Sequence, residues 1–140
     1  MTTASELRYD ANCRYTKTSE WVRPMEGGKA RLGLTDYAQD QLSDIVYVEM
    51  PEIGDRFAKG KPFAVAESVK ATSDCYIPVS GEIIAVNGDL EGSPNLVNDD
   101  PYGAGWFVEI ELSDPAELDD LMDAKAYQAF ITEELAKGGH

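Results

Sequence analysis

Short β-forming segments, each ended by a turn former, recur from residue 20 to residue 112. That pattern leaves room for little except a mainly β architecture of short strands. In Lys29–Leu34, Ala30, Leu32 and Leu34 alternate with Lys29, Arg31 and Gly33, the period of a half-buried strand. Glu20–Met25 precedes it across Glu26-Gly27-Gly28, and the two glycines supply the positive φ of a tight hairpin. Ile45–Met50, stopped by Pro51, is rich in β-formers, and Phe63–Glu67, Tyr76–Val79 and Glu82–Asn87 are further strand candidates. Residues 88–105, with four glycines and two prolines, read as a loop. Trp106–Leu112 alternates again, which puts Trp106, Val108, Ile110 and Leu112 on one core-facing side.

Two places break the β pattern. Thr35 is placed to cap a short helix over Asp36–Leu42, with Asp36 in the first turn, where the helix dipole favours an anion. After Asp114-Pro115-Ala116-Glu117, a capping-box order, apolar residues fall at helical spacing: Leu118, Leu121 and Met122. Asp123 can then cap a second helix with the stripe Tyr127, Phe130, Ile131 and Leu135, ending at Gly138-Gly139. Residues 1–18 show no period and read as a loose lead-in. The expectation is one domain over residues 1–140, with residues 114–137 as a helical appendage. A chain of 140 residues can build such a core without disulfides or a structural metal.

Composition excludes several classes of function. The single histidine, His140, sits in a Gly-Gly-His tail, so a Ser–His–Asp or Cys–His nucleophilic site is hard to assemble. His140 and the two distant cysteines, Cys13 and Cys75, form no metal-ligand cluster. The net charge is −14, of which residues 1–70 carry −1 and residues 71–140 carry −13. No basic residue lies between Lys70 and Lys125, so that stretch offers nothing to neutralise phosphates or an anionic membrane surface. The acidity suits either solubility or docking to basic partner surfaces. Glu6, Arg8 and Asp10 break any signal-peptide pattern, and no apolar run is long enough to span a membrane. A cytoplasmic location is expected.

One segment invites covalent chemistry. Ser68 to Asp74 is short and polar between two strand candidates, and it carries Lys70 as an exposed hairpin tip would. A lysine at a tip is ordinarily only solvated surface. Eleven residues on, Gly81 opens Gly-Glu-Ile-Ile, and a fixed separation of that kind is readable as shape by a modifying enzyme. A cofactor attached at such a lysine becomes a swinging arm.

Glu67-Ser68-Val69-Lys70-Ala71 together with Pro78-Val79-Ser80-Gly81-Glu82 resembles the lipoyl-carrying H proteins of the glycine cleavage system. The resemblance extends in order through Glu20-Trp21-Val22, Gly33-Leu34-Thr35-Asp36-Tyr37-Ala38-Gln39, Asp44-Ile45-Val46-Tyr47-Val48, Pro51-Glu52-Ile53-Gly54, Val97-Asn98-Asp99-Asp100-Pro101-Tyr102 and Gly105-Trp106. It implies a barrel-sandwich hybrid of the biotinyl/lipoyl type, with a short internal helix and C-terminal helices. It also implies a non-catalytic, monomeric carrier with lipoate amide-linked to Lys70. The lipoyl group would take an aminomethyl unit from glycine decarboxylase, pass it to an aminomethyltransferase, and be reoxidised by dihydrolipoamide dehydrogenase. A lipoate ligase or lipoyltransferase would install it. Glu20 and Asp74 match family positions near the docked arm. A biotin carrier would carry Met-Lys-Met, where this chain has Val69-Lys70-Ala71.

The chain departs from the family pattern at Ser19, in place of a histidine, and at Ser43, in place of a glycine. It departs again at Cys75, in place of an aliphatic residue. Cys75 leaves a second reading open, an H-like lipoate-binding protein of bacterial sulfur oxidation, working beside heterodisulfide-reductase-like complexes. In that reading the lipoyl thiols carry sulfur, and Cys75 approaches them by thiol–disulfide exchange. A lipoyl-relay protein is a third possibility, and a scaffold without a cofactor is a fourth.

Overall fold

The computed structural model describes residues 3–138. Strands β2 (Glu20–Met25) and β3 (Lys29–Leu34) pair antiparallel across Glu26-Gly27-Gly28, with Trp21 opposite Gly33 and Met25 opposite Lys29. Gly27 and Gly28 take φ of +76° and +73°, the conformation the turn requires. At Gly33 the constraint is space, because a Cβ there would lie 2.6 Å from the Trp21 ring. Trp21 is fully buried and donates its indole N–H to the Pro101 carbonyl at 3.0 Å.

Strand β1 (Arg14–Tyr15) extends this hairpin on one side. On the other follow β9 (Val108–Leu112), β8 (Gly81–Val86) and β5 (Arg56–Phe57), for a six-stranded order β1-β2-β3-β9-β8-β5. A second sheet has β4 (Ile45–Glu49), β6 (Pro62–Ser68) and β7 (Thr72–Tyr76) in the order β4-β6-β7. All pairings are antiparallel. The sheets share one core, in which Val22, Leu32, Ile83 and Ile110 of the first meet Val48, Ala64, Ala66 and Cys75 of the second. This is the mainly β arrangement that the alternating pattern predicts.

Helix α1 (Asp36–Leu42) starts where its cap predicts, with the Thr35 hydroxyl accepting from the Ala38 amide at 3.2 Å. It ends at Ser43, whose φ of +68° is left-handed.

Several expectations need correction. The segment before β1 is not loose, since Ala4, Leu7, Cys13 and Tyr15 are buried. Arg8 clamps it by an ion pair to Asp36 at 2.9 Å and by donation to the Asn98 and Asp99 carbonyls. Its anchors are scattered, so they leave no period to read. Residues 88–105 contain two single-turn helices, α2 (Asp89–Gly92) and α3 (Leu96–Asp99), anchored by buried Leu90 and Val97. The strand expected over Tyr76–Val79 runs instead over Thr72–Tyr76, because the tight turn after β6 sets its register. Phe107, not Trp106, is the fully buried aromatic beside β9. Trp106 lies just before the strand, half-buried, with the Arg31 guanidinium 4.6 Å from its ring centre.

The C-terminal stretch is part of the packing rather than an appendage. Residues Pro115–Asp120 form a 3-10 helix, with the Asp114 side chain accepting from the Ala116 amide. Glu117 closes no capping box; its carboxylate accepts from the Ser80 amide at 2.7 Å and the Ser80 hydroxyl at 3.0 Å. Helix α4 (Ala124–Gly138) is capped by Asp123, as its sequence predicts. It buries Tyr127 and Ile131 against Ala4, Leu7, Cys13, Tyr15 and Trp21 in a second core. The expected stop at Gly138-Gly139 and the tail histidine His140 extend outside the described residues.

Candidate functional site

The turn joining β6 to β7 is built by Ser68. Its amide donates to the Ala71 carbonyl at 2.8 Å, and its hydroxyl accepts from the Lys70 and Ala71 amides at 3.3 and 3.0 Å. The Val69 amide donates to the Asp44 carbonyl at 3.0 Å, which ties the tip to the residue preceding β4. The result is a pinned tip with Val69, Lys70 and Ala71 exposed. Among the described residues no ion pair engages Lys70.

The tip is shorter than the expected Ser68–Asp74. Asp74 lies within β7, opposite Val65. At about 3.3 Å per residue, it stands roughly 13 Å along the chain from Lys70. Directly paired residues share a face, so Asp74 lies on the side of Val65 and Glu49, and Tyr47, Glu67 and Thr72 continue that face. The strands β4, β6 and β7 contain no Lys or Arg.

Glu20 opens β2 and is only 2 % exposed. Its carboxylate accepts from the Thr16 hydroxyl at 2.9 Å, from the Thr18 hydroxyl, and from the Tyr76 amide of β7 at 3.1 Å. Loss of solvation outweighs these donors and pushes its pKa up to about 7. Ser19, just before it, is left-handed at φ +70° and buried. The turn is closed by the Ser19 amide donating to the Thr16 carbonyl at 3.1 Å.

Glu20 and Asp74 come together at a cavity of about 280 Å³. One wall is the segment from Lys17 to Glu20; the opposite wall is the face of α1 that carries Tyr37, Ala38, Gln41 and Leu42; Ser73 and Asp74 supply the third side. Lys70 is not among its lining residues. It is joined to the cavity by β7 itself. A second cavity of about 290 Å³ lies against the other side of the Thr16–Glu20 turn and reaches Ile77, Leu121 and Met122. Sequence reasoning missed the α1 wall. Tyr37 and Ala38 stood within a quoted motif, but nothing in a single chain says that this helix faces β7.

Cys75 alternates with Asp74 and therefore faces the core, where it is 1 % exposed. Burial, with the Glu20 carboxylate nearby, pushes its thiol far above the ordinary range. Cys13 is also buried, its thiol pushed up to about 12. The expected approach of Cys75 to an arm on Lys70 is thus corrected: the side chain packs near Ala64 and Ala66, away from the tip. Among the described residues no group of acids, cysteines and histidines could hold a metal ion, and no helix is long and apolar enough to cross a membrane.

Comparison with known proteins adds a consistent picture. Residues 13–134 match the family model described as glycine cleavage H-protein. The glycine cleavage system H protein of Aeromonas salmonicida is 54 % identical over 121 residues, covering 86 % of this chain and 94 % of that protein. That of Symbiobacterium thermophilum is 52 % identical over 123 residues, covering 88 % and 95 %. The crystal structure of a glycine cleavage system H protein from Mycobacterium marinum superposes with a TM-score of 0.78. It is 30 % identical, and the match covers 94 % of this chain and all of the other. The two-sheet, barrel-sandwich architecture is therefore shared, and the chain belongs to the glycine cleavage H-protein family.

Proposed function

We propose that this protein is the lipoyl carrier of a glycine cleavage system, with lipoate joined by an amide to the Nζ of Lys70. It is a carrier and not an enzyme, a single unit over residues 1–140 that works as a monomer in the cytoplasm. The observation that carries the reading is the pinned, exposed Lys70 tip standing on the strand that leads into an acid-bearing cavity. The residues present fit the group. Nothing among the described residues covers Lys70, and a lysine side chain extended by an octanoyl-length chain spans the distance to Asp74. The cavity offers apolar Leu34, Ala38 and Leu42 for the alkyl part. Lipoate supplies a dithiol that accepts an aminomethyl unit when its disulfide opens.

The chain's own residues do three things in this scheme. Ser68 and the Val69–Asp44 bond fix the base from which the arm swings. Glu20 and Asp74 receive the ammonium end of the cargo. A cation entering the cavity favours the ionised form of Glu20, so docking releases a proton from its buried carboxyl wherever that group is still protonated. The walls exclude water, which suppresses hydrolysis of the labile carried unit. The partners in this reading are glycine decarboxylase, an aminomethyltransferase, dihydrolipoamide dehydrogenase and the ligase or transferase that installs lipoate. The outward faces of β4, β6 and β7, acidic and free of basic residues, suit basic rims on such partners.

The sulfur-carrying reading rested on Cys75, and the burial of that thiol removes the observation that favoured it. The test is direct. Incubation with lipoate, ATP and a lipoate ligase should add one lipoyl mass to the wild type and none to Lys70→Ala. The modified protein should support glycine–CO2 exchange by glycine decarboxylase. A lipoyl increment retained in Lys70→Ala overturns the site. A correctly modified protein inert in the exchange overturns the function.

A further inference from the structure

Both walls of the cavity are tied to one atom outside it. The Tyr127 hydroxyl, on α4, lies 2.8 Å from the Ser19 hydroxyl and 2.8 Å from the Thr35 hydroxyl. Ser19 is the left-handed residue that turns the chain into Glu20. Thr35 caps α1, the opposite wall, and its amide donates to the Ser19 carbonyl at 3.0 Å. The Tyr127 ring is fully buried, stacked on Tyr15 with centres 4.6 Å apart, and it meets Tyr9 edge-on at 6.1 Å. Tyr127 is not among the residues lining the cavity.

We infer that Tyr127 is a positioning residue for the carrier function: its hydroxyl holds the Ser19–Glu20 turn and the N-terminus of α1 at a fixed separation, so that the cleft between them keeps its shape around its cargo. A left-handed serine is costly and persists only where its surroundings over-determine it. Here the surroundings are the Thr16 carbonyl, the Thr35 amide and this phenol. The ring is packed by Tyr9 and Tyr15, so Tyr127→Phe keeps the packing and removes only the link. Without it, the Ser19 and Thr35 hydroxyls lose their shared buried partner, and the turn can part from the helix cap. The inference rests on the lipoyl-carrier reading for its consequence, but not for its geometry.

The experiment has two arms. In the unmodified protein, amide hydrogen exchange is followed at Ser19 and Thr35, with Phe107, whose amide donates to the Leu32 carbonyl, as an internal reference. In the protein lipoylated and loaded by glycine decarboxylase and glycine, spontaneous loss of the carried unit is followed as ammonia. In that reaction one water adds its oxygen to the methylene carbon and the C–S and C–N bonds break. The thiol takes back a proton, and the products are formaldehyde and ammonium.

Tyr127→Phe should speed both the Ser19 and Thr35 exchange and the ammonia release by about fivefold or more, the scale of one lost buried hydrogen-bonding centre, with Phe107 unchanged. Tyr9→Phe is the control. It removes a comparable hydroxyl, bonded at 2.6 Å to the Ala4 carbonyl in the same core but to neither wall. It should leave both rates as in the wild type. Wild-type rates in Tyr127→Phe, or equal acceleration by Tyr9→Phe, overturn the inference. Wild-type protein that loses ammonia as fast as a lipoyl-lysine peptide overturns the sheltering role instead, and the exchange arm still decides whether Tyr127 holds the walls.

Discussion

Replacing Ser43 by glycine should stabilise the protein. Ser43 ends α1 with φ +68° and ψ −157°, a region that is essentially glycine-only and costs other residues about 1–3 kcal/mol. Its side chain is exposed, and among the described residues its hydroxyl makes no hydrogen bond, so little is lost with it. The backbone bonds that need the conformation survive: the Ser43 amide to the Gln39 carbonyl at 3.0 Å, and the Asn98 side chain to the Ser43 carbonyl at 2.9 Å. Against the relief stands the wider freedom of glycine in the unfolded chain, about 0.5–1 kcal/mol. The net gain is about 1 kcal/mol. Unfolding entropy for a chain of 140 residues is about 0.3 kcal/mol per kelvin, so the melting temperature should rise by about 3 °C. Thermal denaturation followed by circular dichroism measures this. Ser43→Ala keeps the strained backbone and should melt within about a degree of the wild type. A Ser43→Gly protein that melts no higher, or an alanine variant that gains as much, would refute the strain argument.

Other outcomes follow from the same structure. The Glu20 carboxyl, raised in the folded state to about 7 from its ordinary value of 4.5, should make stability full below about pH 4.5 and falling towards about pH 7. Its share of that fall is about 3 kcal/mol, and it should be missing from Glu20→Gln in urea melts across that range. Phe107→Ala should cost about 3–5 kcal/mol, whereas Trp106→Ala, which gives up a half-buried ring and its contact with Arg31, should cost about 1 kcal/mol. Equal losses would put the two aromatics in the wrong places. Gly33→Ala should cost about 1–3 kcal/mol, because the new methyl meets the locked Trp21 ring; an unchanged urea midpoint would show that the ring can yield.

What could be read from the sequence was local. The Glu26-Gly27-Gly28 hairpin and the Thr35-capped helix came out with their observed bounds, because turn glycines and caps act on their own few residues. Trp106 was misread because period-two alternation was carried back past Val108 to Trp106, where the backbone is no longer a strand. The N-terminal segment escaped because Leu7, Cys13 and Tyr15 are anchors with no period, made meaningful only by α4 packing on them. That Lys70 stands on an exposed turn between two strands was legible in the sequence around it. The cavity was not, since it depends on α1 and the Ser19 turn facing each other across β7. That arrangement is tertiary, and the hydroxyl of Tyr127 joining them lies more than ninety residues away from both.

The bonds that pin the β6–β7 turn bear on how strongly the cavity must hold anything. In the proposed reading, with its root fixed by Ser68 and Asp44, an arm on Lys70 would sample a bounded volume that has to take in the cavity mouth. Tethering of this sort sets a local concentration on the order of millimolar. An intrinsic dissociation constant in the same millimolar range would then already fill the cavity about half of the time. Two carboxylates and a few alkyl contacts are enough, and a tightly fitting site would be a handicap. A weakly held end leaves quickly, so in that reading residence on the carrier would be limited by how often a partner arrives and not by how slowly the carrier lets go.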